Sequence, residues 1–518
     1  MSEQKKNGIP QMGPDTGNYW CTWDTQFRVN SVEDGKDTKN LRNVLTQDFL
    51  FAEDGMLRNY LKNVRQDLYV LLDDGWDVGK DVPGNGAVSV FGSLVLDSDK
   101  FPDFTGEPWE RLTKLRCKLM ELGYRGLGLW ICANATGEEE AHPLSVEEAE
   151  NYWKERAIWC RKAGVDYWKV DWGYHCGDAA YREMMTRIVK QYAPDLKIEH
   201  AVCRGSLDEK VEHWKRVGKL LSISDYVRTY DVVKEFTYST TIARTWEMFD
   251  QDRKVQFGCR GIPNIEDAPL LAAGLCCSMG VMRHPCWGGT ETDVLDFGRK
   301  WNEVERALRW QRIAPPFGIW ESSAEAFGGL RKDWTETLSG PEGEGWLKNL
   351  IPEGRSISQE APAILTRNMD CPEIFAKEKE LPFLACSIHP ATGTVSIAFM
   401  PRTCGDRKIF TPKADLNVKF GAFVKPIGVF GEFGILTVEL GEAVEGRVYL
   451  QDLCREEAVG HGHAQLAFLH PVDVILGVVA YLIGELCVGL TALIEGLDDL
   501  DAVDVLDESG AHFGGRLH

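Results

Sequence analysis

The chain contains 518 residues, of which 44% are hydrophobic and 26% are charged, a composition typical of folded globular proteins. Its formal net charge is −21. Because such an acidic surface repels phosphate groups, we expect neither nucleic acid nor an anionic membrane as a partner. The length predicts about two to four domains, or one α/β barrel of about 250 residues joined to a smaller module.

The amino terminus and the cysteines predict a reducing environment. The first ten residues, MSEQKKNGIP, contain no apolar run typical of a signal peptide. The 15 cysteines form no Cys-x-x-Cys pair, and their odd number indicates free thiols. Residues 472–494 are strongly apolar, but Asp473 and Glu485 interrupt them, which argues against a membrane span. We therefore expect a cytoplasmic protein, and the composition leaves a homo-oligomer open.

Short apolar runs alternate with helical patterns through the first half of the chain. Eight such runs are strand candidates: 18–23, 67–73, 127–132, 166–171, 196–202, 225–230, 254–258 and 279–282. Eight strands alternating with helices predict a (β/α)8 TIM barrel. A doubly wound open sheet is the alternative, but no Gly-x-Gly-x-x-Gly follows a strand, which weakens its dinucleotide-binding version.

Three helical patterns lie between these strands. Apolar residues at helical spacing predict helices over 57–64 and 112–122, the second ended by Gly123. Ser145 and Glu148 form a capping box that opens a third helix, which Gly164 ends.

The pattern changes after the Pro315–Pro316 pair. Residues 333–360 are rich in Gly, Pro, Glu and Ser and predict a long loop, and the alternating runs that follow predict a small antiparallel β-sandwich. We assign no role to the last segment. The predicted divisions are an N-terminal segment (1–17), the barrel (18–316), a connecting loop region (317–360), a C-terminal β domain (361–455) and an atypical tail (456–518).

Polar and aromatic side chains follow the predicted barrel strands. In α/β barrels the chemistry takes place at the carboxyl ends of the strands. The candidates there are Trp20, Asp73, Asp74, Trp76, Lys169, Asp171, Glu199, Cys203, Arg204, Arg228, Asp231 and Glu266. Tryptophan faces stack on the C–H patches of a sugar ring, and carboxylates accept hydrogen bonds from its hydroxyls. Two carboxylates about 5–5.5 Å apart can hydrolyse a glycosidic bond with retention. The set therefore favours a carbohydrate substrate.

The order of four motifs resembles the melibiase-like α-galactosidases of glycoside hydrolase clan D, families 27 and 36. The motifs are Asp73-Asp74-Gly75-Trp76, Leu129-Trp130-Ile131, Tyr167-Trp168-Lys169-Val170-Asp171 and Arg228-Thr229-Tyr230-Asp231. The resemblance implies a (β/α)8 barrel followed by a C-terminal β domain. It also implies a retaining exo-α-glycosidase that needs no cofactor and no metal.

The same resemblance implies roles for single residues. Asp171 would be the nucleophile, and Lys169 on the same strand face would favour its ionised form. Asp231 would be the acid/base. Asp73 and Asp74 would hold the 4- and 6-hydroxyls of galactose. Further substrate contacts are expected from Lys169, Arg228, Trp20 and Trp76, whereas Glu199, Cys203 and Arg204 have no clear counterpart.

Several alternatives stay open from the sequence. Within the clan, these are a β-L-arabinopyranosidase and a transglycosylating, raffinose-synthase-like enzyme. Outside it, Asp73, Asp74 and Asp171 could ligate Mg²⁺ in a barrel lyase or isomerase. A sugar-binding protein without catalysis is the remaining possibility.

Overall fold

A computed structural model describes most of the chain. The described residues are 8–29, 38–80, 82, 91–136, 144–200, 218–228, 238–256, 258–282, 297–337, 356–403, 409–420, 426–431, 433, 435–440, 446–453, 460–464, 478–483, 491–495, 502–506 and 512–516. Eight parallel strands close into one barrel, each hydrogen-bonded to the next, and the last to the first. The predicted (β/α)8 barrel is confirmed.

The barrel strands are short and mostly buried. They are β1 (Tyr19–Cys21), β2 (Tyr69–Leu72), β3 (Gly126–Ile131), β4 (Tyr167–Val170), β5 (Lys197–His200), β6 (Tyr226–Arg228), β7 (Ile262–Glu266) and β8 (Ser278–Val281). Because alternate residues of a strand point to opposite faces, one set fills the barrel interior and the other meets the helices. Gly280 lets the ring of Tyr19 cross the interior, since a Cβ there would lie 2.8 Å from that ring.

In the described part of residues 8–311, the α-helices are α1 (Trp23–Val29), α2 (Thr38–Val44), α3 (Gln47–Phe51), α4 (Pro108–Glu121), α5 (Val146–Ala163), α6 (Ala179–Tyr192), α7 (Tyr238–Val255), α8 (Pro269–Gly274) and α9 (Phe297–Gln311). The predicted capping box of α5 is present, and Gly164 ends the helix in the left-handed conformation with φ 72°. Among the described residues, no helix is both long and apolar enough to cross a lipid bilayer.

Three sequence predictions in this region are wrong. The seventh strand is Ile262–Glu266 and not 254–258, where α7 ends and the chain turns. The true strand escaped notice because it contains Pro263 and two polar residues, which strand patterns disfavour. Residues 57–64 form turns instead of a helix, since Leu61 adopts a left-handed φ of 52°. The loop predicted over 333–360 is strand at both ends.

The second half of the chain builds β sheets. Its strands are β9 (Ala324–Thr337), β10 (Ser356–Arg367), β11 (Glu373–Ala376), β12 (Phe383–Ile388), β13 (Val395–Met400), β14 (Arg402–Thr403), β15 (Ile409–Phe410), β16 (Ala414–Phe420), β17 (Ile427–Phe430), β18 (Ile435–Leu440), β19 (Gly446–Asp452), β20 (Gly460–Ala464), β21 (Val478–Ile483), β22 (Thr491–Glu495), β23 (Ala502–Leu506) and β24 (His512–Arg516). An eight-stranded sheet runs in the order β20-β19-β21-β17-β13-β12-β10-β9, and a four-stranded sheet in the order β11-β16-β18-β22.

The two sheets pack face to face, which confirms the predicted C-terminal β-sandwich. Leu384 and Ile397 of the larger sheet share a buried cluster with Leu416 and Leu436 of the smaller one. Most pairs are antiparallel, and β10–β12, β13–β17 and β16–β18 are parallel. The exact domain boundaries stay predictions.

The other face of the larger sheet packs on the barrel. Gly274 at the end of α8 allows this approach, because a Cβ there would lie 2.7 Å from the Cβ of Ala398. The indole N–H of Trp310 on α9 donates to Ser396 Oγ at 2.7 Å. These contacts explain why β13 is buried along its whole length: both of its faces are covered.

Candidate active site

Inward-facing side chains from five barrel strands, or from the residues just after them, meet inside the barrel towards its carboxyl-terminal mouth. Among the described residues the set contains four carboxylates and two basic groups: Asp73, Asp171, Glu199, Glu266, Lys169 and Arg228. All six are buried. Charged groups are seldom buried without a partner or a task, and their convergence at the mouth of an α/β barrel marks the candidate site.

Asp171 directly follows β4. The indole N–H of Trp130 donates to its Oδ2 at 3.1 Å, and Nη2 of Arg228 lies 3.6 Å from its Oδ1. A hydrogen-bond donor and a positive charge both favour a carboxylate over the neutral acid. The arrangement therefore suits a nucleophile, which must be ionised to react. Trp130, to which the sequence analysis gave no role beyond its place in the Leu129-Trp130-Ile131 motif, orients this carboxylate.

Asp73 and Lys169 form a buried ion pair beside Asp171. Nζ of Lys169 lies 3.0 Å from Asp73 Oδ2, and the same oxygen accepts the thiol proton of Cys21 at 3.0 Å. Burial, the largest single influence, would by itself lower the pKa of Lys169, but the charge of Asp73 together with smaller contributions from other neighbours, Glu266 among them, raises it overall. Burial, and next the charge of Asp73, raise the pKa of Cys21 well above its usual value. Lys169 is thus a cation and Cys21 a neutral donor at neutral pH.

Arg228 connects the carboxylates of three strands. Its guanidinium lies 3.5 Å from Glu199 and 3.5 Å from Glu266, in addition to Asp171. Glu266 also accepts from the hydroxyl of Tyr19 at 2.9 Å, and Glu199 from that of Tyr167 at 2.7 Å. Burial, and then nearby carboxylates, raise the pKa of both tyrosines, so their hydroxyls stay protonated as donors. Arg228 is therefore held rigidly before any substrate arrives.

Asp74 has a different environment from its neighbour Asp73. Arg42 grips it with two hydrogen bonds, Nε to Oδ1 at 2.8 Å and Nη2 to Oδ2 at 2.8 Å. The guanidinium of Arg42 also lies over the ring of Phe91, 4.5 Å from its centroid. Burial raises the pKa of Asp74, and Arg42 opposes that rise. Both carboxylate oxygens of Asp74 thus accept hydrogen bonds from Arg42. No sequence pattern predicted Arg42 as the partner.

Two predicted stacking residues are wrong. Trp20 lies between Tyr19 and Cys21 on β1, and it points away from the barrel interior towards α9, where its ring centroid is 5.8 Å from that of Trp301. Trp76 is fully buried, and its indole N–H donates to the backbone carbonyl of Trp130 at 2.9 Å. Trp20 therefore does not face the barrel interior, and the polar atom of the Trp76 ring is bound to the backbone of β3.

The structure brings together Asp73, Lys169, Asp171 and Arg228 as the sequence predicts. Asp231, Cys203 and Arg204 lie outside the described residues, so their roles stay predictions. Glu199 and Glu266, which the sequence left without a role, belong to the same charge cluster. The inward direction of Glu266 could have been predicted by applying strand alternation to the correct seventh strand.

Comparison with known proteins finds distant similarity to solved structures. No family model and no curated protein sequence matches the chain. A GH27 β-L-arabinopyranosidase of Geobacillus stearothermophilus is 11% identical, with coverage of 93% of this chain and 96% of that chain and a TM-score of 0.38. A Bacteroides fragilis protein provisionally described as an α-galactosidase or melibiase is 13% identical, with coverage of 69% and 78% and a TM-score of 0.32. The carboxyl transferase domain of Rhizobium etli pyruvate carboxylase is 13% identical, with coverage of 60% and 53% and a TM-score of 0.28. Scores this low carry no argument about function.

Proposed function

We propose that this protein is a retaining exo-α-glycosidase that hydrolyses terminal α-galactosides. The observation that carries the proposal is the Asp171 carboxylate, which is buried at the end of β4, accepts from Trp130 and faces Arg228. The Asp73–Lys169 ion pair stands beside it. This is an ionised carboxylate next to paired donors and acceptors, the combination that attack on a polyhydroxylated ring requires.

In the proposed reaction Asp171 attacks the anomeric carbon through an oxocarbenium-like transition state and forms a covalent glycosyl-enzyme. Asp231, three positions after Arg228 in the sequence, protonates the departing glycosidic oxygen and then removes a proton from the attacking water. The proposal uses no cofactor and no metal ion. The positive charge that develops on the sugar ring is stabilised by the excess of carboxylates in the site.

Substrate hydroxyls are proposed to bind the ammonium group of Lys169, the carboxylate of Asp73 and the guanidinium of Arg228. These groups are already ordered by one another, so binding costs little side-chain entropy. Asp73 and Asp74 are each bound to a basic side chain, which opposes their use as Mg²⁺ ligands in a barrel lyase.

A specific observation favours β-L-arabinopyranosidase activity as a second candidate. This sugar matches galactose except that it lacks the 6-hydroxymethyl group. Asp74, one of the two expected partners of the 4- and 6-hydroxyls, is already saturated by Arg42. A site that offers fewer hydrogen-bond acceptors around the 6-position loses less binding free energy when the substrate lacks the hydroxymethyl group.

The test is a panel of p-nitrophenyl glycosides with the purified full-length chain. The α-galactoside should be cleaved, and NMR should show the α-anomer of the free sugar as the first product. A kcat/KM for the β-L-arabinopyranoside above that for the α-galactoside would select the second candidate. If both substrates stay intact, the proposed function is wrong, and a β-anomer as first product would overturn retention.

A further inference from the structure

A buried polar cluster lies behind Asp171, between β5 and helix α6. It consists of Arg182 and Thr186 on α6 and His200 on β5, with Arg182 only 1% and His200 0% exposed. The guanidinium of Arg182 donates to the backbone carbonyl of Asp171 through Nη2, and to that of Val170 at 3.4 Å through Nη1. A basic side chain therefore holds the peptide on which the proposed nucleophile stands.

The direction of each hydrogen bond in this cluster is fixed by chemistry. Arginine can only donate, so Nη1 of Arg182, 3.3 Å from His200 Nδ1, makes that ring nitrogen an acceptor. The imidazole proton must then sit on Nε2, which donates to Thr186 Oγ1 at 2.7 Å. The hydroxyl of Thr186 in turn donates a hydrogen bond to the backbone carbonyl of Arg182 at 2.7 Å. The ring of bonds closes only when His200 is neutral.

The surroundings of His200 keep it in that form. Complete burial, and then the charge of Arg182, lower the pKa of His200 well below its ordinary value of 6.5. A neutral imidazole with one defined tautomer is a rigid support for Arg182 at the pH of the cell. The guanidinium consequently keeps one orientation relative to β4.

The backbone of Asp171 is tied on both sides. Its N–H donates to the carbonyl of Ile131 on β3 at 2.9 Å, and its carbonyl accepts from Arg182. The chain then leaves the barrel wall at Gly173, whose φ of 142° and close contact with the Ala133 backbone admit only glycine. Arg182 therefore supplies a hydrogen bond to the carbonyl side of Asp171, just after β4 ends.

We propose that Arg182, oriented by His200 and Thr186, is the positioning residue for the Asp171 carboxylate. This inference rests on the proposed function, in which Asp171 is the nucleophile. Arg182 fixes the peptide and so the direction of the side chain, and its buried positive charge favours the carboxylate form. Reacting groups must be held within about 0.5 Å of the productive geometry, so a loosened peptide lowers turnover more than substrate binding.

The main test compares Arg182→Met with Arg65→Met. Arg65 is a matched control, because it is also buried and donates to four backbone carbonyls, those of Leu57, Arg58, Tyr60 and Leu122, away from the site. We expect Arg182→Met to lower kcat about 100-fold while KM changes less than about threefold. Arg65→Met should lower the unfolding temperature but leave kcat unchanged.

The pH dependence gives a readout that a purely structural role would not move. The acidic limb of kcat/KM reports ionisation of the free enzyme's nucleophile. Among the described residues, the titratable or charged groups around Asp171 include Arg228 on β6, Asp74 after β2, Cys132 after β3 and the Asp73–Lys169 pair, and the variants alter none of them. The limb should move up by about one pH unit in Arg182→Met and stay in place in Arg65→Met.

A second pair of variants tests the same proposal if Arg182→Met does not fold. His200→Asn and His200→Leu have nearly the same shape, but only asparagine keeps an acceptor near the position of Nδ1. We expect His200→Asn to stay within about threefold of the parent kcat and His200→Leu to fall about tenfold or more, with the same upward shift of the acidic limb. Equal activity of the two variants would overturn the proposal.

The two proposals fail in distinguishable ways. If the parent protein cleaves no glycoside, the proposed function is wrong. The pKa of Asp171, followed by carboxyl ¹³C NMR and assigned with Asp171→Asn, then tests the positioning without substrate. If the parent is active but neither the acidic limb nor the Asp171 titration moves in Arg182→Met, the positioning role is wrong.

Discussion

The two ends of the barrel carry aspartates next to the same strands and use them differently. Asp67, Asp166 and Asp225 stand just before β2, β4 and β6, at the amino-terminal base. Each meets one basic side chain from outside the barrel: Arg312 at 2.5 Å, Arg116 at 2.9 Å and Lys190 at 2.5 Å. Charge at the base is thus neutralised one to one, and the acids have structural roles.

Asp171, which follows β4 at the mouth, has no such one-to-one arrangement. Arg228 lies at 3.5–3.6 Å from three carboxylates at once, those of Asp171, Glu199 and Glu266. A shared cation compensates each carboxylate only in part. The difference teaches that residue type alone does not distinguish a structural aspartate from a reactive one. The two kinds of aspartate are distinguished by their position along the strand and by the number of cations near each of them.

The largest expected effect comes from removing one acid at each end. Asp171→Asn should lower kcat at least about 1000-fold, because the amide cannot attack the anomeric carbon. Asp67→Asn should leave kcat unchanged, although Asp67 is equally buried and ion-paired. Steady-state kinetics on p-nitrophenyl α-galactoside measure both. Azide or formate should restore part of the turnover of Asp171→Asn alone, and a comparable loss in both variants would break the comparison.

The next effect separates stability from catalysis by removing the cations. Lys169→Met and Arg312→Met each leave a buried aspartate without its partner, so each should lower the free energy of unfolding by about 3 kcal/mol. Only Lys169→Met should also lower kcat/KM, by about 100-fold, because Arg312 lies at the base of the barrel, away from the proposed substrate site. Urea denaturation and kinetics well below the unfolding temperature measure the two quantities. A fully active Lys169→Met variant would show that Lys169 does not bind the substrate.

Much of this comparison could be predicted from the sequence. Strand periodicity predicted seven of the eight barrel strands, and the rule that α/β barrels react at the carboxyl ends of their strands predicted where the candidate residues lie. The seventh strand was missed because the polar residues that serve the site, Asn264 and Glu266, broke its apolar pattern. Strand prediction from apolar residues therefore fails most readily where charged side chains line the barrel interior.

Contacts between residues distant in the chain could not be predicted. Arg42 reaches Asp74 from a short helix 32 positions earlier, and Trp20 points outward only because β1 begins at Tyr19. A shift of one residue in a strand exchanges its two faces. Composition indicates which groups a site uses, whereas the register decides which of them point into it.

The pH dependence of stability should have opposite signs at the two ends. Burial raises the pKa of Asp77, near the mouth, to about 6, while hydrogen bonds from Lys197 and Tyr69 overcome burial and lower the pKa of Asp15 at the base. Asp77 keeps its proton in the folded state between about pH 4 and 6, whereas the unfolded chain has lost it, so its contribution to stability falls as pH rises through that window. The contribution of Asp15 is present above its unfolded pKa and is lost as pH falls through the folded value.

Asp77→Asn and Asp15→Asn test these signs by urea denaturation at several pH values. Relative to the parent, Asp77→Asn should gain stability from pH 4 to 7, by about 2–3 kcal/mol in total. Asp15→Asn should be less stable than the parent at pH 7 and approach it near pH 3. Parallel stability curves for parent and Asp77→Asn would show that the buried carboxyl titrates normally.

The smallest effect concerns the partly exposed ion pair at the base of β4. Arg116 donates to Asp166 through Nε at 2.9 Å and Nη2 at 3.2 Å, but about a fifth to a quarter of each side chain is exposed to solvent. Water screens such a pair, so Arg116→Met should lower the free energy of unfolding by only about 0.5–1 kcal/mol, and less at high salt. The Leu127 N–H continues to donate to Asp166, so the aspartate stays in place. Activity should not change. A loss of kcat in Arg116→Met, with stability nearly intact, would mean that the base of the barrel communicates with the mouth, and the division into structural and reactive ends would no longer hold.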